Sequence, residues 1–284
     1  MAFERLGAPS LDYMPWWFAG SKLLFRGPER IPEGRYALFL GGTETYGKFI
    51  DMPFPARVEE MTGLKCVNFG WPNAGVDVFL NEPALLNAAT GARAVILQVP
   101  SASNMTNRFY SVHPRRNDRF LRPSALMKSV FDEVDFTQFH FTRHLLRHLQ
   151  ISAPDRFSVL RQELRVSWIA RMRLLLSKLG DGVILLWFSS RKPGEDADCV
   201  DVARDPAFVT RQMLTTVSEE AAALVTVCAS KSAQARGTQG MVFSDLEAPA
   251  AAELLGPKAH EEAARALRPV IEKISAQDAM SPPD

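Results

Sequence analysis

The sequence has almost no net charge, few cysteines and no long hydrophobic run. Its 33 basic and 32 acidic residues give a formal charge of +1, so no overall field attracts nucleic acid or an anionic membrane. The three cysteines, Cys66, Cys199 and Cys228, are widely spaced and form no CxxC pair, which argues against a disulfide framework or a structural zinc site. We therefore expect buried thiols in a reducing compartment, and any recognition of an anion must be local.

No segment has the pattern of a targeting signal or a membrane span. The first residues, Met1–Arg5, lack a basic region followed by an apolar one. The aromatic stretch Tyr13–Phe18 is far too short to cross a bilayer. These patterns predict a cytoplasmic protein with neither a membrane nor a nucleic acid as its partner.

Short apolar runs in this sequence alternate with segments of helical spacing. Most of the runs are apolar throughout, as expected for strands covered on both faces. The predicted strands are Tyr36–Leu40, Lys65–Phe69, Ala94–Val99, Val183–Phe188 and Leu224–Ala229. The predicted helices are Phe54–Met61, Val76–Ala89, Phe157–Leu179, Pro206–Ala223 and Pro257–Ile274.

This alternation predicts an α/β fold with a doubly wound, mostly parallel five-stranded sheet of flavodoxin-like, three-layer α/β/α architecture. A hydrophobic content of 46% allows a sizeable core, and we expect residues 1–284 to form one domain. Its core spans about 36–275, after an N-terminal extension at 1–35 and with an insertion at about 101–150. Insertions at the carboxyl ends of strands are where open α/β sheets bind ligands.

The loop Gly41–Gly47 follows the first core strand and is the predicted centre of function. Its glycines allow backbone to approach a ligand closely, and it carries two threonine hydroxyls. The loop lacks both the Gly-Lys-Ser/Thr ending of a P-loop and the GxGxxG spacing. A nucleotide site is therefore disfavoured, and no cofactor is predicted.

Three motifs resemble the SGNH, or GDSL-like, hydrolase superfamily. Gly41-Gly42-Thr43 stands where that family has Gly-Asp-Ser, and Val67-Asn68-Phe69-Gly70 resembles its strand ending in Asn-x-Gly. Ala102-Ser103-Asn104 resembles its Gly-x-Asn-Asp block, although an ungapped alignment would put Ala102 in place of the asparagine. The resemblance implies an SGNH-like fold, with insertions at the strand ends.

The same resemblance implies a site for acyl transfer. Thr43 would be the nucleophile, and Gly70 and Asn104 would donate hydrogen bonds to the oxygen that gains charge. Such a reaction needs a nucleophile beside a base and donors aimed at the developing oxyanion.

This sequence departs from the family's pattern at the catalytic base. Asp245-Leu246-Glu247-Ala248 has alanine where the late Asp-x-x-His block has histidine, and the region's one histidine is His260. His260 is either a displaced base or a packing residue at the start of the last helix. The β-methyl group of Thr43 also restricts the rotamers of its hydroxyl, so a degenerate or repurposed site is a second possibility.

From about Leu38 to Asn117 the sequence also resembles a bacterial domain-of-unknown-function family. The shared features are the glycine–threonine loop, the Asn-x-Gly turn, and the stretches Asn107–Tyr110 and His113–Asp118. The resemblance extends over most of the chain and implies no chemistry.

A basic loop follows the third predicted strand and should lie over the same end of the sheet as Thr43. It contains Arg108, Arg115, Arg116, Arg119 and Arg122, whose guanidinium groups suit carboxylate, sulfate or phosphate. The alternative is that they pair with acidic neighbours. Those acids are Asp118, Asp132, Glu133 and Asp135.

His140, His144 and His148 recur at intervals of four residues. On a helix they would share one face, and such a pair can bind metal. Because no HExxH glutamate and no nearby cysteine accompany them, a solvated basic face is favoured and no metal is predicted.

These patterns predict an SGNH-like esterase or acyl transferase acting on an acylated, possibly anionic, carbohydrate-like substrate. The alternative is a non-catalytic SGNH-fold protein that binds an anionic ligand through the glycine-rich and arginine-rich loops. A sulfotransferase-like activity is a weaker third option. Substrate contacts are predicted for Gly42, Thr45, Asn73, Arg108, His113, Arg115 and Arg116.

Overall fold

The computed structural model describes residues 10–195, 202 and 204–280, with side chains as far as residue 274. The N-terminal stretch Met1–Arg5, Cys199, part of the segment 189–206 and the tail 281–284 lie outside the described residues.

A five-stranded parallel sheet forms the centre of the protein. Its strands are β3 (Tyr36–Gly41), β4 (Lys65–Gly70), β5 (Ala94–Gln98), β8 (Val183–Ser189) and β9 (Ala223–Cys228), in the spatial order β4-β3-β5-β8-β9. Gly41 pairs with Gly70 and Leu40 pairs with Leu97, so these three strands end at nearly the same level. The predicted α/β architecture and its five strands are confirmed, with boundaries within one residue.

Helices cover both faces of the sheet. On one face lie α2 (Phe54–Thr62), α9 (Lys231–Arg236) and α11 (Pro257–Met280); on the other lie α3 (Val76–Leu80), α4 (Pro83–Thr90), α6 (Thr142–Ser152), α7 (Pro154–Leu179) and α8 (Arg211–Ser218). Side chains of each strand alternate between the two cores: Leu38 packs into one and Phe39 into the other. The structure is therefore a three-layer α/β/α sandwich.

Shorter elements complete the chain. They are β1 (Trp16–Trp17), β2 (Leu24–Phe25), β6 (Tyr110–His113), β7 (Arg116–Pro123), α1 (Thr43–Tyr46), α5 (Ala125–Val130), α10 (Ala248–Ala251) and two 3-10 turns at Phe136–Gln138 and Asp245–Glu247. The pairs β1–β2 and β6–β7 are antiparallel ribbons outside the main sheet. Within the described residues, no helix combines the length and apolar character that crossing a membrane requires.

Two predicted helices differ from those in the structure. The segment Val76–Ala89 forms α3 and α4 rather than one helix, because Pro83 lacks the N–H that a continuous helix needs at that position. The segment Pro206–Ala223 is helical only over Arg211–Ser218, where the Thr210 side chain accepts a hydrogen bond from Met213 N.

Candidate functional site

The carboxyl ends of β3 and β5 form the switch point of the sheet. The chain winds outward from β3 to β4 on one side and from β5 to β8 on the other. Loops at such a point diverge and leave a crevice, which is where doubly wound sheets bind ligands. The loops after β3, β4 and β5 carry Thr43, Asn73 and Asn104.

Gln98, the last residue of β5, holds the glycine–threonine loop. Its Oε1 accepts hydrogen bonds from the Gly42 and Thr45 amides, both at 3.1 Å, and from Thr45 Oγ1 at 2.5 Å. Thr45 is fully buried. The structure therefore directs Thr45 and the Gly42 amide inward, whereas the sequence predicted both as substrate contacts.

Thr43 and Asn104 meet at Asn73, in a polar cluster that we define as Thr43, Asn73, Asn104 and Asp118. The Thr43 hydroxyl accepts from Asn73 N at 3.0 Å and donates to Asn73 Oδ1 at 3.3 Å. Asn104 Nδ2 donates to Asn73 O at 3.3 Å, and Asn73 Nδ2 donates to Asp118 Oδ2 at 3.2 Å. Asn73 is exposed and the other three residues are partly exposed, so solvent or a ligand can reach the cluster.

The backbone at Asn73 has a left-handed conformation, with φ of 57°. Asparagine tolerates this region better than most residues, which explains why it can occupy the tip of this turn. The following residue pair, Ala74 and Gly75, runs so close to the β5 loop that a Cβ on Gly75 would lie 1.6 Å from Asn104 O. The turn therefore requires glycine at position 75.

The β6–β7 hairpin is fastened to the same turn. Asn117 is fully buried and its Oδ1 accepts from the amides of Gly75 at 3.1 Å and Val78 at 3.0 Å. The indole of Trp71 donates to Arg115 O at 2.6 Å. These contacts place Asp118 against the loops of the main sheet, although it belongs to the insertion.

Thr142, at the start of α6, contacts two residues of the cluster. Its hydroxyl is 2.8 Å from Asn104 Oδ1 and 3.3 Å from Asp118 O, and the residue is buried. Burial raises the pKa of the Asp118 carboxyl above its ordinary value, although Arg119, the Asn73 amide and Arg116 oppose the rise. The cluster thus contains a carboxyl group that protonates more readily than a solvated aspartate.

Gly70 has a packing role rather than the predicted oxyanion role. Its amide donates to Asn68 Oδ1 at 2.9 Å, and Asn68 Nδ2 in turn donates to Thr45 O at 2.8 Å. A Cβ at Gly70 would lie 2.2 Å from Tyr46 N. The glycine therefore lets α1 pack onto β4, and its N–H is already occupied.

His260 is fully buried, with both ring nitrogens directed into the protein. Nδ1 accepts from Phe54 N at 3.2 Å, and Nε2 lies 3.4 Å from Glu44 Oε2 without a hydrogen bond of good geometry. The ring stacks on Phe54 and meets Phe188 edge-on. This geometry favours the packing alternative, and no histidine in the described parts of the chain hydrogen-bonds to Thr43.

The predicted basic contacts divide into two groups. Arg108 pairs with the buried Glu163 at 2.6 Å, in a groove of about 540 Å³ between α5 and α7. His113 Nδ1 accepts from the amides of Arg115 and Arg116, both at 3.2 Å, and so shapes the hairpin turn. Arg115 is partly exposed and Arg116 exposed, and Arg116 lies near enough to Asp118 of the cluster to lower its pKa.

The three spaced histidines do not share a helix. α6 begins at Thr142, so His140 precedes it, while His144 and His148 contact the Phe139 ring at centroid distances of 4.9 and 5.1 Å. Across the described residues, no group of three or more His, Cys, Asp or Glu side chains is arranged to hold a metal ion.

No sequence pattern pointed to Gln98, Thr142 or Glu44, and Asp118 was one of four acids offered as alternative partners of the arginines. Asp118 carried one usable signal, its place in the loop that was expected over the same end of the sheet as Thr43. Gln98 and Thr142 are common residues in ordinary positions, and only the packing of distant segments gives them partners.

No curated protein sequence matches this chain. The SGNH resemblance stays a prediction. The family comparison does match nearly the whole chain, residues 1–275, and by that match the protein belongs to the family described as Domain of unknown function (DUF6473).

Proposed function

We propose that this protein binds a small, polyhydroxylated ligand that carries a negative charge, without transforming it. The observation that carries the proposal is the polar cluster at the switch point, which has exposed hydrogen-bonding groups, while among the described residues no histidine bonds to Thr43. Amide side chains both donate and accept, and a carboxylate accepts. That combination suits vicinal hydroxyl groups, each of which also donates and accepts.

The negative charge is inferred from the residues beside the cluster. Arg115 and Arg116 form no ion pair among the described residues, while their backbones are held by Trp71 and His113. An arginine fixed near a hydroxyl-binding cluster is well suited to a carboxylate or sulfate group. A sugar acid or a sugar sulfate has both features.

Titration calorimetry with galacturonate, and with galactose as the neutral counterpart, tests the proposal. We expect heat of binding with galacturonate and weaker binding of galactose. Asn73→Ala should weaken galacturonate binding at least tenfold, because it removes the side chain that joins Thr43 to Asp118 and because each lost hydrogen bond contributes about 0.5–1.5 kcal/mol. Asn87→Ala on the exposed surface of α4 is the matched control.

The alternative outcomes are distinct. If sugar acids and sugar sulfates all fail to bind, the proposed ligand class is wrong. If Asn73→Ala binds galacturonate as well as the unchanged protein, the ligand is held elsewhere.

Hydrolysis or transfer of an acyl ester at an SGNH-like site is a second candidate. It is favoured by one observation: Thr43 and Asn104, which the resemblance implies as nucleophile and oxyanion donor, both hydrogen-bond to Asn73. It is weakened by the burial of His260. Turnover of p-nitrophenyl acetate that disappears in Thr43→Ala would favour this candidate, whereas unchanged turnover in that variant would exclude Thr43 as the nucleophile.

A further inference from the structure

Four arginines of the β6–β7 hairpin lie within eight residues and form no ion pair in the described structure. We call them the arginine ribbon: Arg115, Arg116, Arg119 and Arg122. Arg116, Arg119 and Arg122 are exposed and Arg115 is partly exposed.

The acidic residues nearest in sequence are bound elsewhere. Asp132 and Glu133 pair with Arg156, and Asp135 accepts from the amide and hydroxyl of Thr137. Asp118 is bonded to Asn73. Within the described residues none of these four acids forms an ion pair with an arginine of the ribbon, although the charges of Arg119 and Arg116 act on Asp118.

The ribbon begins beside the polar cluster and extends away from it. Arg116 and Arg119 lie close enough to Asp118 to oppose the rise in its pKa, and Arg122 lies further along β7, opposite Ser111. Residues three apart on a strand are separated by about 10 Å, and on a regular strand they point to opposite faces. Here the pairing register shifts twice, and Arg116 and Arg122 lie opposite His113 and Ser111, two positions that share a face of β6. The ribbon therefore offers several separate anion contacts along a line rather than one concentrated pocket.

Arg119 is held in a defined position. Its guanidinium lies over the Phe141 ring, 5.1 Å from the centroid. Stacking on an aromatic face leaves the N–H groups at the edge of the guanidinium free, and it reduces the side-chain entropy lost when an anion binds. A solvated lysine in this place would lack both advantages.

From these observations we infer that the arginine ribbon binds the flanking units of an acidic oligosaccharide, one unit of which occupies the polar cluster. The inference rests on the proposed function, and it names the ligand as a chain rather than a single sugar. Hydroxyl groups would meet the cluster, and repeated carboxylates or sulfates would meet successive arginines.

A single-stranded nucleic acid is the competing partner for a basic surface. Such strands are held by aromatic side chains on which the bases stack. The exposed aromatic ring on this surface, Phe141, already has Arg119 over one face, and the protein as a whole carries a charge of only +1. The observations thus favour the oligosaccharide.

The experiment measures affinity against chain length. Galacturonate and its linear oligomers of two, four and eight units are titrated into the full chain at fixed ionic strength, beside a single-stranded oligonucleotide of matched charge. We expect affinity to rise with length. In Arg119→Ala/Arg122→Ala we expect octamer binding to fall roughly tenfold, because two exposed ion contacts to the flanking units are lost, while monomer binding is unchanged.

The matched control is Arg265→Ala/Arg268→Ala, which removes the same charge from exposed positions on α11, on the opposite face of the sheet. It should leave octamer affinity unaltered. Raising the salt concentration should weaken the octamer more than the monomer, because exposed charge contacts are screened.

The possible outcomes separate the ribbon inference from the proposed function of the cluster. Affinity that does not depend on length, or an octamer that binds the ribbon variant normally, overturns the inference. Tighter binding of the oligonucleotide than of the octamer, with the same loss in the ribbon variant, assigns the surface to nucleic acid instead. If the monomer fails to bind but the octamer binds through Arg119 and Arg122, the proposed function of the cluster fails while the ribbon inference stands.

Discussion

Thr43 and Glu44 are neighbours in α1, yet their side chains belong to two different regions. Thr43 joins the partly exposed polar cluster, where each contact is a single hydrogen bond near solvent. Glu44 turns the other way, accepts from Leu255 N at 3.1 Å, and faces the buried ring of His260. One short helix therefore separates a surface suited to binding from a contact that holds the last helix to the sheet.

The difference shows why Thr43 and His260, which were predicted to belong to one catalytic site, have separate roles. A hydrogen bond at the surface is replaced by water when it is lost, so its loss costs little stability. A buried group that loses its partner has no such replacement and costs about 1–3 kcal/mol. Changes in the cluster should thus alter binding, and changes at His260 should alter stability.

Gly75→Ala should disturb the loops that carry the polar cluster, and it gives the largest loss of stability that we expect. The new Cβ would lie 1.6 Å from Asn104 O, so backbone must move, and we expect a loss of at least about 3 kcal/mol in the free energy of unfolding. Denaturant unfolding measures it. Gly182→Ala, where a Cβ meets nothing within 4 Å, is the control, and equal stability of the two variants would show that the close approach is incorrect.

His260→Ala should destabilise the fold without weakening ligand binding. The change removes a fully buried ring that packs on Phe54 and Phe188, together with the acceptor for Phe54 N. We expect a loss of about 2–4 kcal/mol in the free energy of unfolding. Galacturonate affinity at a temperature where the variant is folded should match that of the unchanged protein.

His260→Phe refines the same comparison. It keeps a ring in the cavity but leaves Phe54 N without an acceptor, so its cost should fall below that of alanine and near about 1–3 kcal/mol. A loss of ester turnover in His260→Phe, with the fold intact, would instead return His260 to the role of a base.

Asp118→Asn should give a small, pH-dependent gain in stability. Because the folded-state pKa of Asp118 is raised, folding favours its protonated form. Wild-type stability therefore declines as pH rises from the ordinary carboxyl pKa of about 3.9 through the folded value, and then levels off. The uncharged asparagine lacks this decline.

The difference between the two proteins should accordingly be absent at the acidic end and largest near neutral pH. We expect about 1 kcal/mol or less, since solvent screens a partly exposed carboxyl, which corresponds to a change of about 2–4 °C in Tm. Thermal unfolding at several pH values measures it. A gain that is equal at all pH values would mean that the charge of Asp118 is not its cause.

The strand pattern could be predicted because it depends on local sequence. Runs such as Val183–Phe188 are apolar at every position and have a strand's length, which suits a strand covered on both faces. In α7 the residues at helical intervals are buried, as an amphipathic helix requires: Leu160, Leu164, Trp168, Leu175 and Leu179. Pro83 indicates the break between α3 and α4, but the apolar residues on either side keep helical spacing and so predicted one continuous helix.

The candidate site could be predicted only in part. Thr43, Gly70 and Asn104 were expected at one sheet edge because they follow adjacent parallel strands, and in the structure Thr43 and Asn104 both hydrogen-bond to Asn73, which was predicted as a substrate contact. Asp118 and Thr142 come from the insertion, whose arginine-rich loop was expected over this end of the sheet, but strand order does not determine which of its side chains reach the cluster. The roles of Gly70 and His260 depend on which atoms already occupy their hydrogen-bonding groups.

The sequence by itself determined the class of fold, the order of its elements along the chain, and the edge of the sheet where function belongs. Those features follow from apolar periodicity and from the direction of parallel strands. Only the tertiary structure decided that Gln98 holds the glycine–threonine loop, that His260 is buried against Phe54, and that the arginine ribbon forms no ion pair with the other residues described. Each of these depends on contacts between segments far apart in the chain, which no local pattern encodes.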